Sequence, residues 1–271
     1  MNAAFALPRR LASPRRMLGA IGRPVLQGCR AVARVSGFCA AIIVHALRVA
    51  TWRRTVRAAF MRELQNTSVG VLPAVLAAAV LVGIGLVGEG LYWLQIAGQT
   101  SLVAGILRIV LIREIAPIMV GLVLVGRAGI GTLIEVGTLR AGGQLRMLET
   151  QGIDPFHLLV VPRVLAMAVS GFCLTMVFIV VSLGAGFVAA SLIGTLQLSL
   201  VEFADRLVAG LDARTFAMIP IKSVAIGFAV ATASTYTALA ARGEPERAVT
   251  AGFMRALIAV LVVNGAISVV L

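Results

Sequence analysis

The chain has 271 residues, of which 60% are hydrophobic and 13% charged, and its formal net charge at pH 7 is +13. Apolar content this high with so few charges is typical of a protein in a lipid bilayer and argues against a soluble enzyme. The charge is concentrated at one end: residues 1–62 hold twelve Arg and no Asp or Glu, so the other 209 residues carry twelve basic against eleven acidic side chains.

Residues 1–24 form a basic tail that we expect to be disordered. Prolines and arginines interrupt any apolar core, which excludes a secretory signal, whereas an Arg-rich organellar transit peptide remains an alternative. Binding to nucleic acid is not expected, because the sequence after Arg62 is of membrane type and forms no soluble basic domain. The three cysteines, Cys29, Cys39 and Cys173, have no paired spacing, so we expect neither a disulfide framework nor a metal site.

Residues 25–62 are predicted to contain an amphipathic helix over 25–52. One face would carry Arg30, Arg34, His45 and Arg48, and the opposite face would carry Val32, Val35, Cys39, Ile42, Ile43 and Ala46. An Arg-rich polar face suits a helix lying in the membrane interface. The same apolar stripe would equally serve a helix packed on the rest of the protein, so both interpretations stay open.

Five transmembrane helices are predicted from apolar runs, since about 20 helical residues cross a hydrocarbon core. Their ranges are 64–88, 115–134, 164–201, 223–241 and 248–271. The third run is charge-free for its whole length and is interpreted as one long tilted helix. The Lys and Arg bias of the loops places the N-terminus in the cytoplasm and the C-terminus outside.

The segment between the second and third predicted spans, 135–155, has the pattern of a short helix. Leu145 and Leu148 fall in register, Gly152 is a stop signal and Asp154-Pro155 a turn. A short helix held between two spans can transmit force from a separate ATPase, as coupling helices of ABC transporters do. From the pattern alone, an ordinary connecting loop is the preferred alternative.

Six motifs in order resemble the MlaE/YrbE family, permease subunits of MCE-associated ABC transporters. They are Arg113-Glu-Ile-Ala-Pro117, Gly126-Arg-Ala-Gly129, Glu135-Val-Gly-Thr138, Gln144-Leu-Arg-Met-Leu-Glu149, Gly152-Ile-Asp-Pro155 and Val161-Pro-Arg163, with further similarity at Ile221-Lys-Ser223 and Arg247-Ala248. The resemblance implies an all-α integral membrane protein with an MlaE-type permease domain over 63–271.

The resemblance also implies the partners. Family members are homodimers in the bacterial inner membrane that bind a Mla-type ATPase inside and an MCE-domain protein outside. They move phospholipid or another hydrophobic lipid between membranes, which maintains outer-membrane lipid asymmetry. A secondary transporter or a membrane scaffold subunit is the alternative, although the sequence shows no inverted repeat.

The resemblance implies that the coupling helix carries the ATPase contact. Its residues are Glu135, Gly137, Thr138, Gln144, Leu145, Leu148, Glu149, Gly152, Asp154 and Pro155. We expect no catalytic residue, metal or cofactor on this chain, with ATP and Mg bound by the partner ATPase. The only Lys is Lys222, and no Gly-rich phosphate loop precedes it.

Charged residues within spans are candidates for function because charge is costly in hydrocarbon. They are Glu89, Arg113, Glu114, Arg127 and Lys222. The alternative is a structural role, with Glu114 paired to Arg127 and Lys222 snorkelling to the interface. Two departures from the family pattern bear on the partners: Gly142-Gly143 replaces Thr-Glu before Gln144, and Asn264 stands where many members have Asp.

Overall fold

The computed structural model of the chain describes residues 33–48, 54–90, 108–152, 154–192, 202, 205, 213–241 and 245–270. These residues are helical apart from short turns, and they contain no β-strand. Two compact units divide the chain, 1–41 and 42–271, and the sites described below lie within the second. The predicted tail over 1–24 falls outside the described residues.

The first described helix, α1 (Ala33–Leu47), lies inside the predicted amphipathic segment. In its C-terminal part Ile42 is fully buried, whereas Ile43, Val44 and Leu47 are exposed. Apolar side chains left on the surface of a basic helix suit a membrane interface, while burial of Ile42 shows that the helix also packs on protein. The interfacial role of the predicted amphipathic helix stays a prediction.

Five longer helices follow, all long and apolar enough to cross a membrane. The first, α2 (54–88), joins Arg54–Val82 to a wider π-helical end, Gly83–Gly88. The second, α3 (108–141), contains two π-helical stretches, Arg108–Ile115 and Val125–Gly129, each followed by regular α-helix. π-Helical turns inside α-helices are frequent at functional sites.

The short helix α4 (Gln144–Thr150) separates α3 from the third long helix, α5 (Phe156–Leu192). The last two are α6 (Ala213–Ala240) and α7 (Pro245–Val270). The five predicted spans are confirmed in number and order. Their limits differ, since α2 begins at Arg54 and α5 at Phe156, ahead of the predicted starts at 64 and 164, and residues 193–201 lie outside the described ones.

The earlier starts have a physical cause. The sequence rule ends a span at the nearest charge, but a helix continues through charges that are paired or that stand outside the hydrocarbon. Glu63 and Arg163 both lie inside such extensions, and they pair with one another.

Close backbone contacts hold the central helices together. A Cβ on Gly227 of α6 would lie 2.6 Å from the Met167 carbonyl oxygen of α5, and one on Gly83 of α2 would overlap the Ser182 carbonyl oxygen. Membrane helices use small residues in this way, because the hydrophobic effect does not drive their association in lipid. Helix α5 thus packs between α2 and α6, and α7 packs on α6.

A turn at Gly142-Gly143 separates α3 from α4. Gly143 has a φ of 71°, in the left-handed region that favours glycine. Gly152, with a φ of 76°, ends α4, and the Asp154 side chain then accepts a hydrogen bond from the Phe156 amide at 2.9 Å. The predicted stop at Gly152 and turn at Asp154-Pro155 are confirmed. The two glycines that depart from the family pattern, Gly142 and Gly143, therefore form the bend between α3 and α4.

Candidate functional site

The candidate site has three parts, and the first is a polar cluster between α3, α6 and α7, here called the central cluster (Arg113, Glu114, Lys222, Asn264 and Ser268). Lys222 is 0% exposed. Its Nζ donates to Glu114 Oε2 at 2.9 Å, to the Arg113 carbonyl oxygen at 2.9 Å and to Ser268 Oγ at 2.7 Å. All three ammonium hydrogens therefore have acceptors.

The Glu114 carboxylate is held from a second side by α7. Ser268 Oγ donates to Oε1 at 2.9 Å, and Asn264 Nδ2 donates to Oε2 at 3.2 Å. Arg113 Nε lies 3.7 Å from Glu114 Oε1. Arg113 and Glu114 lie in the π-helical stretch of α3, and the cluster joins three helices around the Glu114 carboxylate.

Two expectations about these charges were wrong. Lys222 does not snorkel to an interface, because it is enclosed by protein and paired with Glu114. Glu114 does not pair with Arg127, whose Nη2 instead donates to the Gly70 carbonyl oxygen of α2 at 3.2 Å. The two residues are too far apart along one helix, about 20 Å at a rise of about 1.5 Å per residue.

The second part is the end cluster (Glu63, Glu135 and Arg163), which joins α2, α3 and α5 at the end of the bundle that carries α4. Arg163 is 3% exposed. Its Nε donates to Glu63 Oε1 at 3.0 Å, its Nη2 pairs with the same oxygen, and Nη2 also donates to Glu135 Oε2 at 2.7 Å. One guanidinium therefore serves two carboxylates.

A polar cavity of about 280 Å³ borders the end cluster. Glu63, Glu135 and Arg163 line it together with Arg127, whose side chain is exposed on the surface of α3. Arg163 Nη1 is buried and has no hydrogen-bond partner among the described residues. The cavity is therefore lined by two cationic and two anionic side chains.

The third part is α4 and the surface beneath it. None of the residues of α4 is buried, and Met147 is 62% exposed. A cavity of about 190 Å³ lies under the helix, lined by Leu145 and Glu149 of α4, by Asp154 and Pro155, and by Leu239 of α6. Leu145 thus faces the bundle and Met147 faces outward.

The predicted coupling residues fall into two groups. Glu135, Gly137 and Thr138 lie on α3, which continues beyond the predicted second span, so they are not part of the short helix. Gln144, Leu145, Leu148 and Glu149 lie on α4, with Gly152, Asp154 and Pro155 in the turn that follows. The separate helix is thus shorter than the predicted segment.

The structure brings some of the predicted intramembrane charges together and separates others. Arg113, Glu114 and Lys222 meet in the central cluster, Arg127 lies in the cavity beside the end cluster, and Glu89 is exposed after the last turn of α2. Sequence reasoning missed Glu63 and Ser268 as partners. The sequence does distinguish Glu63, because it is the first acidic residue of the chain.

Five apolar helices whose buried charges pair across helices define a multi-pass α-helical membrane protein. The class can be stated more narrowly. A family model described as Permease MlaE matches residues 60–270, and the chain belongs to this family. The match takes in all five long helices except the first turns of α2.

Curated relatives agree with this membership. A probable ABC transporter permease protein of Synechocystis is 35% identical over 42% of this chain and 45% of its own length. The intermembrane phospholipid transport system permease protein MlaE of Haemophilus influenzae is 28% identical over 62% of this chain and 63% of its own. The chloroplastic TRIGALACTOSYLDIACYLGLYCEROL 1 protein of Arabidopsis thaliana is 28% identical over 42% of this chain and 31% of its own. The chain thus spans about half the length of the first two relatives.

Proposed function

We propose that this chain is the membrane-spanning permease subunit of an ABC-type transporter that moves phospholipid or a related hydrophobic lipid. It would act as a homodimer in the bacterial inner membrane, with its N-terminus in the cytoplasm. A separate Mla-type ATPase subunit would bind ATP and Mg, and an MCE-domain protein would exchange lipid on the other side. Membership of the MlaE family and the permeases among its relatives support the proposal.

The observation that carries the proposal is the placement of α4. It is a short helix between the second and third long helices, it presents Met147 outward, and it has no buried residue. An exposed apolar side chain on such a helix suits insertion into a groove of a partner protein. The ATPase would dock here, and the chain itself would carry no catalytic step.

The contacts under α4 would connect a docked partner to the long helices. Leu145 of α4 shares a cavity with Phe156 of α5 and Leu239 of α6. Force applied to α4 would press on these two long helices together. Closure of the ATPase around nucleotide would then change the packing of the spans and the volume open to lipid.

The lipid itself would lie against the outer helices α2 and α7. Both expose large apolar side chains, among them Leu81 and Ile84 on α2 and Leu261 and Val262 on α7. An apolar surface of this kind suits acyl chains, and two copies of the chain would enclose it between them. The MCE-domain partner would continue this path away from the membrane.

Docking can be tested by co-purification of the full-length chain with its ATPase subunit. The variant Met147→Glu should lower the retained ATPase by at least tenfold, because truncating or charging an interface anchor commonly costs 2 kcal/mol or more, about thirtyfold. ATP-dependent lipid transfer from proteoliposomes should fall in parallel.

The matched control is Met61→Glu, which places the same charge on an exposed methionine of α2 instead of α4. This variant should keep its ATPase. Full retention of ATPase by Met147→Glu, with the protein inserted normally, would show that α4 is not the docking element.

A further inference from the structure

Arg127 lies near the middle of the apolar stretch Ile109–Ala141 with its guanidinium exposed. Within the described part of the chain its hydrogen-bond partner is a single backbone carbonyl, that of Gly70 at 3.2 Å. A charged side chain inside a membrane is costly and is usually paired with an opposite charge. A neutral carbonyl leaves the positive charge uncompensated, so an anionic partner is needed from elsewhere.

The other cation that lines the cavity is already compensated. Arg163 is 97% buried, and its Nε and Nη2 are used by Glu63 and Glu135. Its Nη1 has no partner within the described residues, but it is enclosed by protein and offers a ligand no accessible donor. Arg127 is therefore the cation of the cavity that is left for a ligand.

The carboxylates exclude a simple anion as the best ligand. Two Arg and two Glu side chains line the cavity, so their formal charges cancel. Glu135 is 57% exposed, and its contact with Arg163 is through Oε2, which leaves Oε1 free for a further donor. A ligand with one positive and one negative group matches this lining better than a net anion.

The order of the charges along the bundle matches the order of groups in a lipid. Glu135 lies nearer the α4 end of the bundle than Arg127, about 12 Å further along α3 at about 1.5 Å per residue. Glu63 and Gly70 are ordered in the same way on α2, with Glu63 beside Arg163 and Gly70 beside Arg127. Moving outward from the hydrocarbon, a ligand would meet Arg127 first and then the two carboxylates, which lie on either side of Arg163.

We propose that this cavity binds the zwitterionic head group of an aminophospholipid at the α4 end of the membrane. The phosphodiester would accept hydrogen bonds from Arg127, and the primary ammonium would donate to Glu135 and Glu63. The acyl chains would extend along α2 and α3 into the hydrocarbon. The assignment rests on the proposed function for the class of ligand, but it places a lipid beside α4, apart from the apolar outer surface described above.

The site can be tested on the full-length permease in detergent by native mass spectrometry with dioleoyl phosphatidylethanolamine, dioleoyl phosphatidylglycerol or inorganic phosphate. Phosphatidylethanolamine should be retained in preference to phosphatidylglycerol. Arg127→Gln should weaken its retention roughly tenfold, because it removes the cationic donor to the phosphodiester. Glu135→Gln, which removes the exposed carboxylate that would accept from the ammonium, should weaken it as well.

Arg57→Gln is the matched control, because Arg57 is exposed on α2 and does not line the cavity. It should retain phosphatidylethanolamine like the unaltered protein. Equal loss in Arg57→Gln and Arg127→Gln would overturn the site, as would preference for phosphatidylglycerol. Displacement of the bound lipid by millimolar inorganic phosphate would assign the site to free phosphate instead and would also overturn the proposal.

The binding measurement needs neither ATPase nor transport, so it is independent of the proposed function. Selective retention that is lost in Arg127→Gln, in a chain that transports no lipid, would leave the head-group site standing and refute the transporter. Normal lipid transport, with retention unaffected by Arg127→Gln, would support the transporter and refute the head-group site.

Discussion

The central cluster and the end cluster each tie three helices together around one buried cation, Lys222 or Arg163, yet they differ in the exposure of the carboxylates that face it. In the central cluster Lys222 has three acceptors, and its carboxylate partner is hydrogen-bonded from α7 by Ser268 and Asn264. In the end cluster one guanidinium is shared by two carboxylates, one of them more than half exposed, beside a polar cavity.

This difference separates a fixed part of the bundle from one that can open. A charge enclosed by protein has no water to replace a lost partner, so the central cluster should resist separation of α3, α6 and α7. The end cluster lies where water and ligands reach Glu135, so its bonds can exchange at lower cost. Movement started at α4 would therefore be expected at the end cluster first.

The largest expected effect is that of breaking the central cluster. Lys222→Met leaves the Glu114 carboxylate without its ammonium partner. Removing one member of a buried ion pair commonly costs about 3–5 kcal/mol, and we expect about 3 kcal/mol because the Glu114 side chain is 33% exposed. We expect a loss of this size in the free energy of unfolding, measured by chemical denaturation of the protein in mixed micelles. The double variant Lys222→Met with Glu114→Gln should recover more than half of it. If the double variant is as unstable as the single one, the loss arises from packing and not from charge.

Breaking the end cluster should cost less. Arg163→Met leaves Glu63 and Glu135 without their shared guanidinium, but Glu135 can turn to water, so we expect a loss of about 2 kcal/mol in the same measurement. Arg57→Met, at an exposed position of α2, should change stability by less than about 0.5 kcal/mol. If Arg163→Met lost as much stability as Lys222→Met, the two clusters would be equally enclosed, contrary to the difference in exposure described above.

An effect comparable to that of Arg163→Met is expected at the backbone contact that brings α6, and with it Lys222, against α5. The Cβ added by Gly227→Ala would overlap the Met167 carbonyl oxygen, and overpacking of this kind costs about 1–3 kcal/mol. Gly184→Ala on α5 meets nothing within 4 Å and serves as the control, with unchanged or slightly raised stability. Equal stability of the two variants in thermal unfolding would show that α5 and α6 are free to separate at Gly227.

Much of the fold could be predicted because each part depends on local chemistry. Apolar length alone fixes a membrane helix, so the five spans were predicted in number and order. The stop at Gly152 and the turn at Asp154 depend on neighbouring residues only, and both predictions were confirmed. The limits of α2 and α5 were misjudged, because the pairing of Glu63 with Arg163 across the bundle extends both helices past their apolar runs.

The sites could be predicted only in part. A charged residue within an apolar run is visible in the sequence, and charge is costly in hydrocarbon. This was enough to predict that Glu114, Arg127 and Lys222 are important. The partner of each charge could not be predicted from the sequence. Several cations were possible partners for Glu114, and the pairing with Lys222 depends on how α3 packs on α6. Ser268 was missed because a lone hydroxyl in an apolar helix gives no signal of its own.

The sequence by itself determined that this is a basic-tailed helical membrane protein with five spans, a short helix between the second and third, and the motifs of the MlaE family. Only the tertiary structure decided which charges pair, that Lys222 is buried, and that Arg127 and Arg163 share a cavity with two carboxylates. The reason is physical: helix formation and membrane insertion depend on residues near in sequence, whereas compensation of a buried charge depends on residues about a hundred positions away.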